Sequence, residues 1–275
     1  MPINPARLPS SLVLVGAGKM GGSMLEGWLK VGMKPSGVTV IDPRPSEEMA
    51  RFCTEKGIAL NPADLSAPEV LVLAIKPQML GEAAPALNGY LGPRTLIISI
   101  LAGKTIGDLK SRLPAASAIV RAMPNLPASI GRGATGAATN PEVSEEQRLT
   151  ADALLSSNGI VEWLPSEDLI DAVTAVSGSG PAYVFHLVEC LAEAGAAAGL
   201  PADLAGRLAR ATVTGAGELL FQSELPPATL RQNVTSPGGT TAAALEVLMR
   251  DQDGLKGLMR EAVAAAKRRA EELAG

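Results

Sequence analysis

The segment Gly16-Ala17-Gly18-Lys19-Met20-Gly21 has the clearest chemical use in the chain. It follows Ser11-Leu12-Val13-Leu14-Val15, an apolar run that reads as a buried strand. A helical pattern with Met20, Met24, Trp28 and Leu29 on one face comes next. Between a strand and a helix, each glycine of this spacing has its own job. Gly16 permits the tight turn, Gly18 lets a pyrophosphate approach bare backbone, and Gly21 lets the helix pack close to the sheet. Free N–H groups and the positive dipole at the helix start then hold phosphates. The loop points to a nicotinamide dinucleotide. Asp42 ends the next apolar run, Val38-Thr39-Val40-Ile41, where an acid binds the adenosine ribose hydroxyls. Arg44 and Ser46 follow at once, and an arginine there can accept a 2′-phosphate. NADH and NADPH both stay open, as does a plain turn role for Asp42.

Three further segments have the makings of a site. Ala74-Ile75-Lys76-Pro77-Gln78 leaves the most apolar strand at the edge where open α/β sheets bind ligands, so Lys76 can face a cofactor or simply solvent. Arg121-Ala122-Met123-Pro124-Asn125 leaves a later strand, and Met123 and Pro124 suit a wall beside the nicotinamide. Thr235-Ser236-Pro237-Gly238-Gly239-Thr240-Thr241 opens a helix with two glycines and two hydroxyls, a good seat for a small carboxylate. By itself this segment reads better as an ordinary helix cap.

No lysine occurs between Lys110 and Lys256. An enzyme that oxidises an alcohol needs a base near the hydroxyl, and the second half offers no lysine for it. His186 is the single histidine; surrounded by Val184, Phe185, Leu187 and Val188, it reads as a packing residue. A cyclic imine fits better. Once protonated it is already an electrophile, and the protein need only align it.

The elements that must position these groups fall into two halves. Apolar strands at residues 11–15, 38–42, 70–75, 95–101 and 118–121 alternate with helical segments, with an outer strand at 134–139 and a helix at 144–157. That pattern predicts right-handed crossovers and a doubly wound parallel sheet over residues 1–165. Residues 166–275 read as helix, at about 167–175, 181–198, 202–222, 241–250 and 254–272, with Pro181 in a first turn. Residues 182–200 are the longest apolar region, but His186, Glu189 and Glu193 interrupt it, so it reads as a buried helix and not a membrane span. Several helices are apolar on more than one face, which calls for a subunit partner.

Bulk composition narrows the classes. The chain of 275 residues is 47% hydrophobic and 19% charged, as a globular protein is. A net charge of −4 and 3% aromatics argue against nucleic acid as a partner. One histidine excludes a His-cluster metal site, and no metal is expected. Cys53 and Cys190 lie far apart, which suits a reducing cytoplasm, and no secretory signal is evident.

On these residues the chain resembles the pyrroline-5-carboxylate reductases. The likeness is carried by Gly16–Gly21, Ala74–Gln78, Arg121–Asn125, the run Ala172–Tyr183 and Thr235–Thr241, and it covers nearly the whole chain. It implies a Rossmann-like first domain and an all-helical C-terminal dimerisation domain. It also implies a cytoplasmic enzyme of proline biosynthesis that passes hydride from NADPH or NADH to 1-pyrroline-5-carboxylate. The partner is a second copy, with dimers assembling further, up to a decamer of dimers. By the resemblance, Ser236, Gly239, Thr240 and Thr241 hold the substrate carboxylate, and Thr241 also meets the ring nitrogen. Glu224 and Asn233 match positions lining the family's site, and Asn61 and Lys76 match cofactor contacts. Asp42 departs from the small or neutral residue often found at its position. The rival readings are a two-domain 3-hydroxy acid dehydrogenase, disfavoured by the missing lysine, and a non-catalytic nucleotide sensor, which leaves the 235–241 loop unexplained.

Overall fold

The computed structural model describes residues 4–274, with side-chain surroundings up to Leu273. The chain forms two compact units. One runs to Gly178 and resumes at Lys267; the other is Ser179–Ala266.

The first unit is built on one sheet. Its strands are β1 (Leu12–Val15), β2 (Val38–Ile41), β3 (Ala59–Leu60), β4 (Val70–Leu73), β5 (Leu96–Ser99), β6 (Ala118–Met123), β7 (Gly133–Thr139) and β8 (Gly159–Trp163). They lie in the order β3-β2-β1-β4-β5-β6-β7-β8. The pairs from β3 to β6 are parallel, β6 and β7 are antiparallel, and β7 and β8 are parallel again. The first six strands therefore have the doubly wound, Rossmann-like order. The helices α1 (Lys19–Lys30), α2 (Glu47–Lys56), α3 (Leu80–Asn88), α4 (Ile106–Arg112) and α5 (Glu145–Ser156) connect them.

Strand period decides how these helices divide. Leu12, Leu14, Val40, Val72, Ile98 and Val120 share a core with Met24, Trp28, Cys53 and Leu154. Val13, Val15, Leu71, Leu73, Ile97 and Ile119 share another with Leu80, Leu87 and Leu109. Alternate residues face opposite sides of a sheet, so a strand covered on both faces is apolar at nearly every position. Trp28 Nε1 donates to the Leu154 carbonyl at 2.9 Å, which fixes α1 against α5. Burial pushes the Cys53 thiol pKa up.

The sequence reading did not anticipate β3 and β8. Residues 167–178, which that reading gave to the helical half, pack with the sheet unit. After α6 (Ile170–Val173) a π turn covers Thr174–Gly178. Ile170 and Ala175 are fully buried, and Gly136 leaves room for Val173, whose methyls a β-carbon there would meet at 2.8 Å.

The second unit holds α7 (Gly180–Ala197), α8 (Ala202–Gln222), α9 (Pro227–Asn233), α10 (Thr240–Leu248) and the start of α11 (Leu255–Ala274). Pro181 lies in the first turn of α7, as expected. Helices α7 and α8 pack where both are small: a β-carbon on Gly195 would sit 3.2 Å from that of Ala205. In this unit only Ala205 and Ala209 are buried hydrophobics, while Phe185, Leu219, Phe221 and Val234 are exposed. Within its own chain α7 buries no residue. His186 lies on this helix. Its side chain is 74% exposed, with Nδ1 at 2.9 Å from Glu189 Oε2, because too little chain surrounds α7 to cover it. Among the described residues no helix is long and apolar enough to cross a membrane.

Candidate functional site

The carboxyl ends of β1, β2, β4 and β6 carry the first cluster. Gly16 has φ +90°, and a β-carbon there would lie 2.8 Å from the Ala74 carbonyl and 2.9 Å from Ile75 Cγ2. The β1–α1 turn and the β4 exit are thus in contact, which brings Gly16, Ala74 and Ile75 together. Gly16 N–H donates to Ile41 O and Ala74 N–H to Val15 O, both at 2.8 Å. A β-carbon on Gly21 would run into the Gly16 carbonyl. One on Gly18 would meet nothing within 4 Å. Gly18 is also the N-cap of α1, and no side chain caps that helix. The first amides, of Lys19, Met20 and Gly21, therefore have no intrahelical partner. Bare backbone at Gly18, unclaimed amides and crowding at Gly16 and Gly21 fit the pyrophosphate of a dinucleotide.

This crowding gives a direct expectation. Gly16→Ala puts a side chain into positive φ and against backbone, at a cost of about 1–3 kcal/mol. Chemical denaturation should show that loss, and titration with NADH or NADPH should show weakened binding.

Asp42 and Asn61 form a clasp beside this loop. Asp42 Oδ2 accepts from Ala17 N–H at 3.0 Å and Oδ1 from Arg44 N–H at 2.9 Å. Asn61 Oδ1 accepts from Asp42 N–H, and Asn61 Nδ2 donates to Asp42 O. Arg44 is exposed, and Ser46 caps α2 by accepting from Met49 N–H. Lys76 is exposed ahead of a short 3₁₀ turn that starts at Pro77. Met123 is buried at the end of β6, and Pro124 is half-buried.

Two buried polar residues nearby went unread in the sequence. Asn125 Oδ1 accepts from Ala134 N–H, and its Nδ2 donates to Ser177 O at 3.0 Å. It ties the Met123-Pro124 turn to the π turn. Arg121, 3% exposed, pairs with Glu167 at 2.8 Å and lies 3.8 Å from Asp171. Glu167 Oε1 also accepts from Ile106 N–H at the start of α4. On the same helix, burial acts to raise the Asp108 carboxyl, but the Thr105 N–H and hydroxyl, Lys104 and Arg121 hold it below its usual range. An arginine inside an apolar strand was the one available signal for this network.

The second cluster is the α9–α10 turn. Gly238 has φ +68°, Gly239 N–H donates to Ser236 O at 3.0 Å, and Gly239 is the N-cap of α10 without a side-chain cap. Thr240 and Thr241 are its first two residues, and neither hydroxyl is hydrogen-bonded among the described residues. The turn thus brings Ser236, Gly239, Thr240 and Thr241 together around unclaimed amides. Glu224 lies in the α8–α9 connection and Asn233 ends α9. Both are exposed, and neither side chain bonds to the turn among the described residues. No group of three or more His, Cys, Asp or Glu among the described residues could hold a metal ion.

Comparison with known proteins gives the following. Residues 167–273 match the model for pyrroline-5-carboxylate reductase dimerisation, and residues 11–103 match that for coenzyme F420-dependent NADP oxidoreductases. A pyrroline-5-carboxylate reductase from Pseudomonas aeruginosa is 40% identical over 266 residues, covering 96% of each chain. One from Synechocystis is 47% identical over 205 residues, 74% of this chain and 75% of that one. Among solved structures, a pyrroline-5-carboxylate reductase from Coxiella burnetii superposes with a TM-score of 0.88 at 36% identity, covering 97% of this chain and 99% of that one. The Plasmodium falciparum pyrroline carboxylate reductase, with NADP bound, has a TM-score of 0.77 at 28% identity, covering 96% and 98%.

Proposed function

The chain belongs to the pyrroline-5-carboxylate reductase family, and from that premise we propose how its residues divide the work. The enzyme is an NAD(P)H-dependent imine reductase. When bound, NAD(P)H supplies the hydride that reduces the imine carbon to give L-proline. The Gly16–Gly21 turn and the first amides of α1 hold the pyrophosphate. Ala74, Ile75, Lys76, Pro77, Met123 and Pro124 flank the cofactor at the same sheet edge, and Asp42, Arg44 and Asn61 attend its adenosine end.

The α10 entrance takes the substrate. Amides at Thr240 and Thr241, with the Ser236 hydroxyl, receive the carboxylate beside Gly239, whose own N–H is taken by Ser236 O. The Thr241 hydroxyl oxygen accepts the N–H of the protonated imine and fixes the ring. No proton has to be removed from carbon or oxygen, so no lysine or histidine base is required. Glu224 and Asn233 complete the polar lining. The single observation that carries this reading is the uncapped α10 start with two unpaired threonine hydroxyls beside Gly239.

The dimerisation-domain match means that the chain oligomerises. We propose a homodimer that covers the exposed apolar surface of α7 and α8, with higher assembly of dimers built on it. Two free cysteines fit a reducing cytoplasm as its compartment. The testing experiment is an absorbance assay of NADH and NADPH oxidation with 1-pyrroline-5-carboxylate. Rapid oxidation is expected with at least one nucleotide. Oxidation of 3-hydroxy acids without imine reduction would overturn the reading, as would tight nucleotide binding with no turnover on any imine.

A further inference from the structure

We propose that Asp42 makes this enzyme select NADH over NADPH. The inference rests on reading the β1–α1 edge as the dinucleotide site. From position alone two side chains compete for the adenosine ribose. A carboxylate at the end of β2 suits the ribose hydroxyls, whereas a nearby guanidinium suits a 2′-phosphate.

The structure treats the two residues unequally. Asp42 is fixed by four hydrogen bonds. Its N–H donates to Asn61 Oδ1 at 2.9 Å, and its carbonyl accepts from Asn61 Nδ2 at 2.7 Å. Its carboxylate accepts from Ala17 N–H at 3.0 Å and from Arg44 N–H at 2.9 Å. Asn61 is in turn held at φ 49°, the one positive φ outside glycine among the described residues. Its N–H donates to Val40 O at 2.9 Å. Asparagine takes this conformation more readily than most non-glycine residues, and here it lets both ends of the side-chain amide reach the Asp42 backbone. The Asp42 carboxylate would have to give up both the Ala17 and the Arg44 N–H to swing aside for a phosphate. Each of its oxygens takes one N–H and retains a lone pair for a ribose hydroxyl.

Arg44 is different. Its backbone N–H serves Asp42, while its guanidinium is exposed and has no ion pair among the described residues. Directly after it, Glu47 and Glu48 occupy the first turn of α2. A 2′-phosphate carries a charge of about −1.5 to −2 at neutral pH. Here it meets one immobilised carboxylate and two more close by in sequence, against one unanchored cation. A 2′-hydroxyl meets an acceptor already aimed and loses nothing.

The test is a fluorescence titration of the full-length protein with NADH and NADPH separately, without imine. Wild type should bind NADH at least about tenfold more tightly. Asp42→Asn keeps the shape and one acceptor for Ala17 N–H, and should narrow the ratio. Asp42→Ser, with charge and bulk removed, should narrow it further. Thermal melts of both variants show whether the clasp still folds, and the wild-type ratio stands as a test even if they do not. Equal or tighter NADPH binding by the wild type, abolished by Arg44→Ala, overturns the proposal. So does an unchanged ratio in both Asp42 variants. The assembly of both readings can be separated: NADH-selective binding without imine reduction removes the reductase reading and leaves this one, while wild type that binds neither nucleotide removes the dinucleotide site and this inference with it.

Discussion

Thr241→Ala lowers kcat by roughly 10²–10³-fold, the loss of about 2.7–4 kcal/mol that follows removal of one preorganised donor or acceptor from a reacting group. Thr241 is half-buried, at the second position of α10, and its hydroxyl is not consumed by another residue among those described. The hydroxyl can therefore be given wholly to the imine nitrogen. Its hydrogen bond to the N–H orients the ring for hydride delivery, so kcat/KM should fall along with kcat through lost positioning. The partner is a cation, which argues for a real loss; the hydroxyl is neutral, which puts the expectation at the lower end. Thr241→Ser keeps the oxygen and should recover most of the rate. Dissociation constants for NADH and NADPH should match those of the wild type, since no dinucleotide contact is assigned to α10. Steady-state kinetics with 1-pyrroline-5-carboxylate provide the check. Wild-type turnover in the alanine variant would remove Thr241 from the mechanism.

What could be read in advance follows from how local each cause is. The strands β1 and β4 are buried at every position and each is an unbroken apolar run, while β5 is apolar up to the buried Ser99. The glycine turn was equally legible, because the use of Gly16, Gly18 and Gly21 depends on residues within a few positions and on one neighbouring strand. β8 was hidden because it is a half-exposed edge strand that starts at glycine and includes Glu162. The antiparallel run of β7 was hidden because apolar content carries no direction. It shows only in the connection after β6, a single 3₁₀ turn at Leu126–Ile130 where a parallel crossover would need a longer helix. The clasp of Asp42 by Asn61 joins the exits of two different strands, and the hold of Asn125 on Ser177 joins a strand exit to the π turn. Such pairs leave no periodic trace. The surroundings of His186 depend on distant chain in the same way. An apolar neighbourhood in sequence becomes a buried one only if enough chain folds over it, and α7 is not covered by its own unit.

The same distance in sequence conceals the strongest electrostatic dependence in the sheet unit, that of Arg121 on Glu167. Removing one member of a buried pair costs about 3–5 kcal/mol, because the other charge stays behind in a poor solvent. The two halves should not cost the same. Arg121→Met leaves Glu167, which is 25% exposed and keeps the Ile106 N–H, so water can reach it. Glu167→Ala leaves Arg121, which is 3% exposed and cannot shed its proton. Its Nε and Nη2 already lack hydrogen-bond partners among the described residues, and Asp171 at 3.8 Å would be its remaining counter-charge. Glu167→Ala should therefore approach the upper end of that range, and Arg121→Met should fall near about 3 kcal/mol. Urea denaturation of both variants and of the double variant gives the two losses and their coupling. Because Asn125 on the same β6 exit holds the π turn, the damage should reach residues 174–178, where hydrogen exchange would report faster opening. Variants as stable as the wild type would mean that water reaches this pair in solution and that the closed arrangement around Arg121 does little to hold the segment in place.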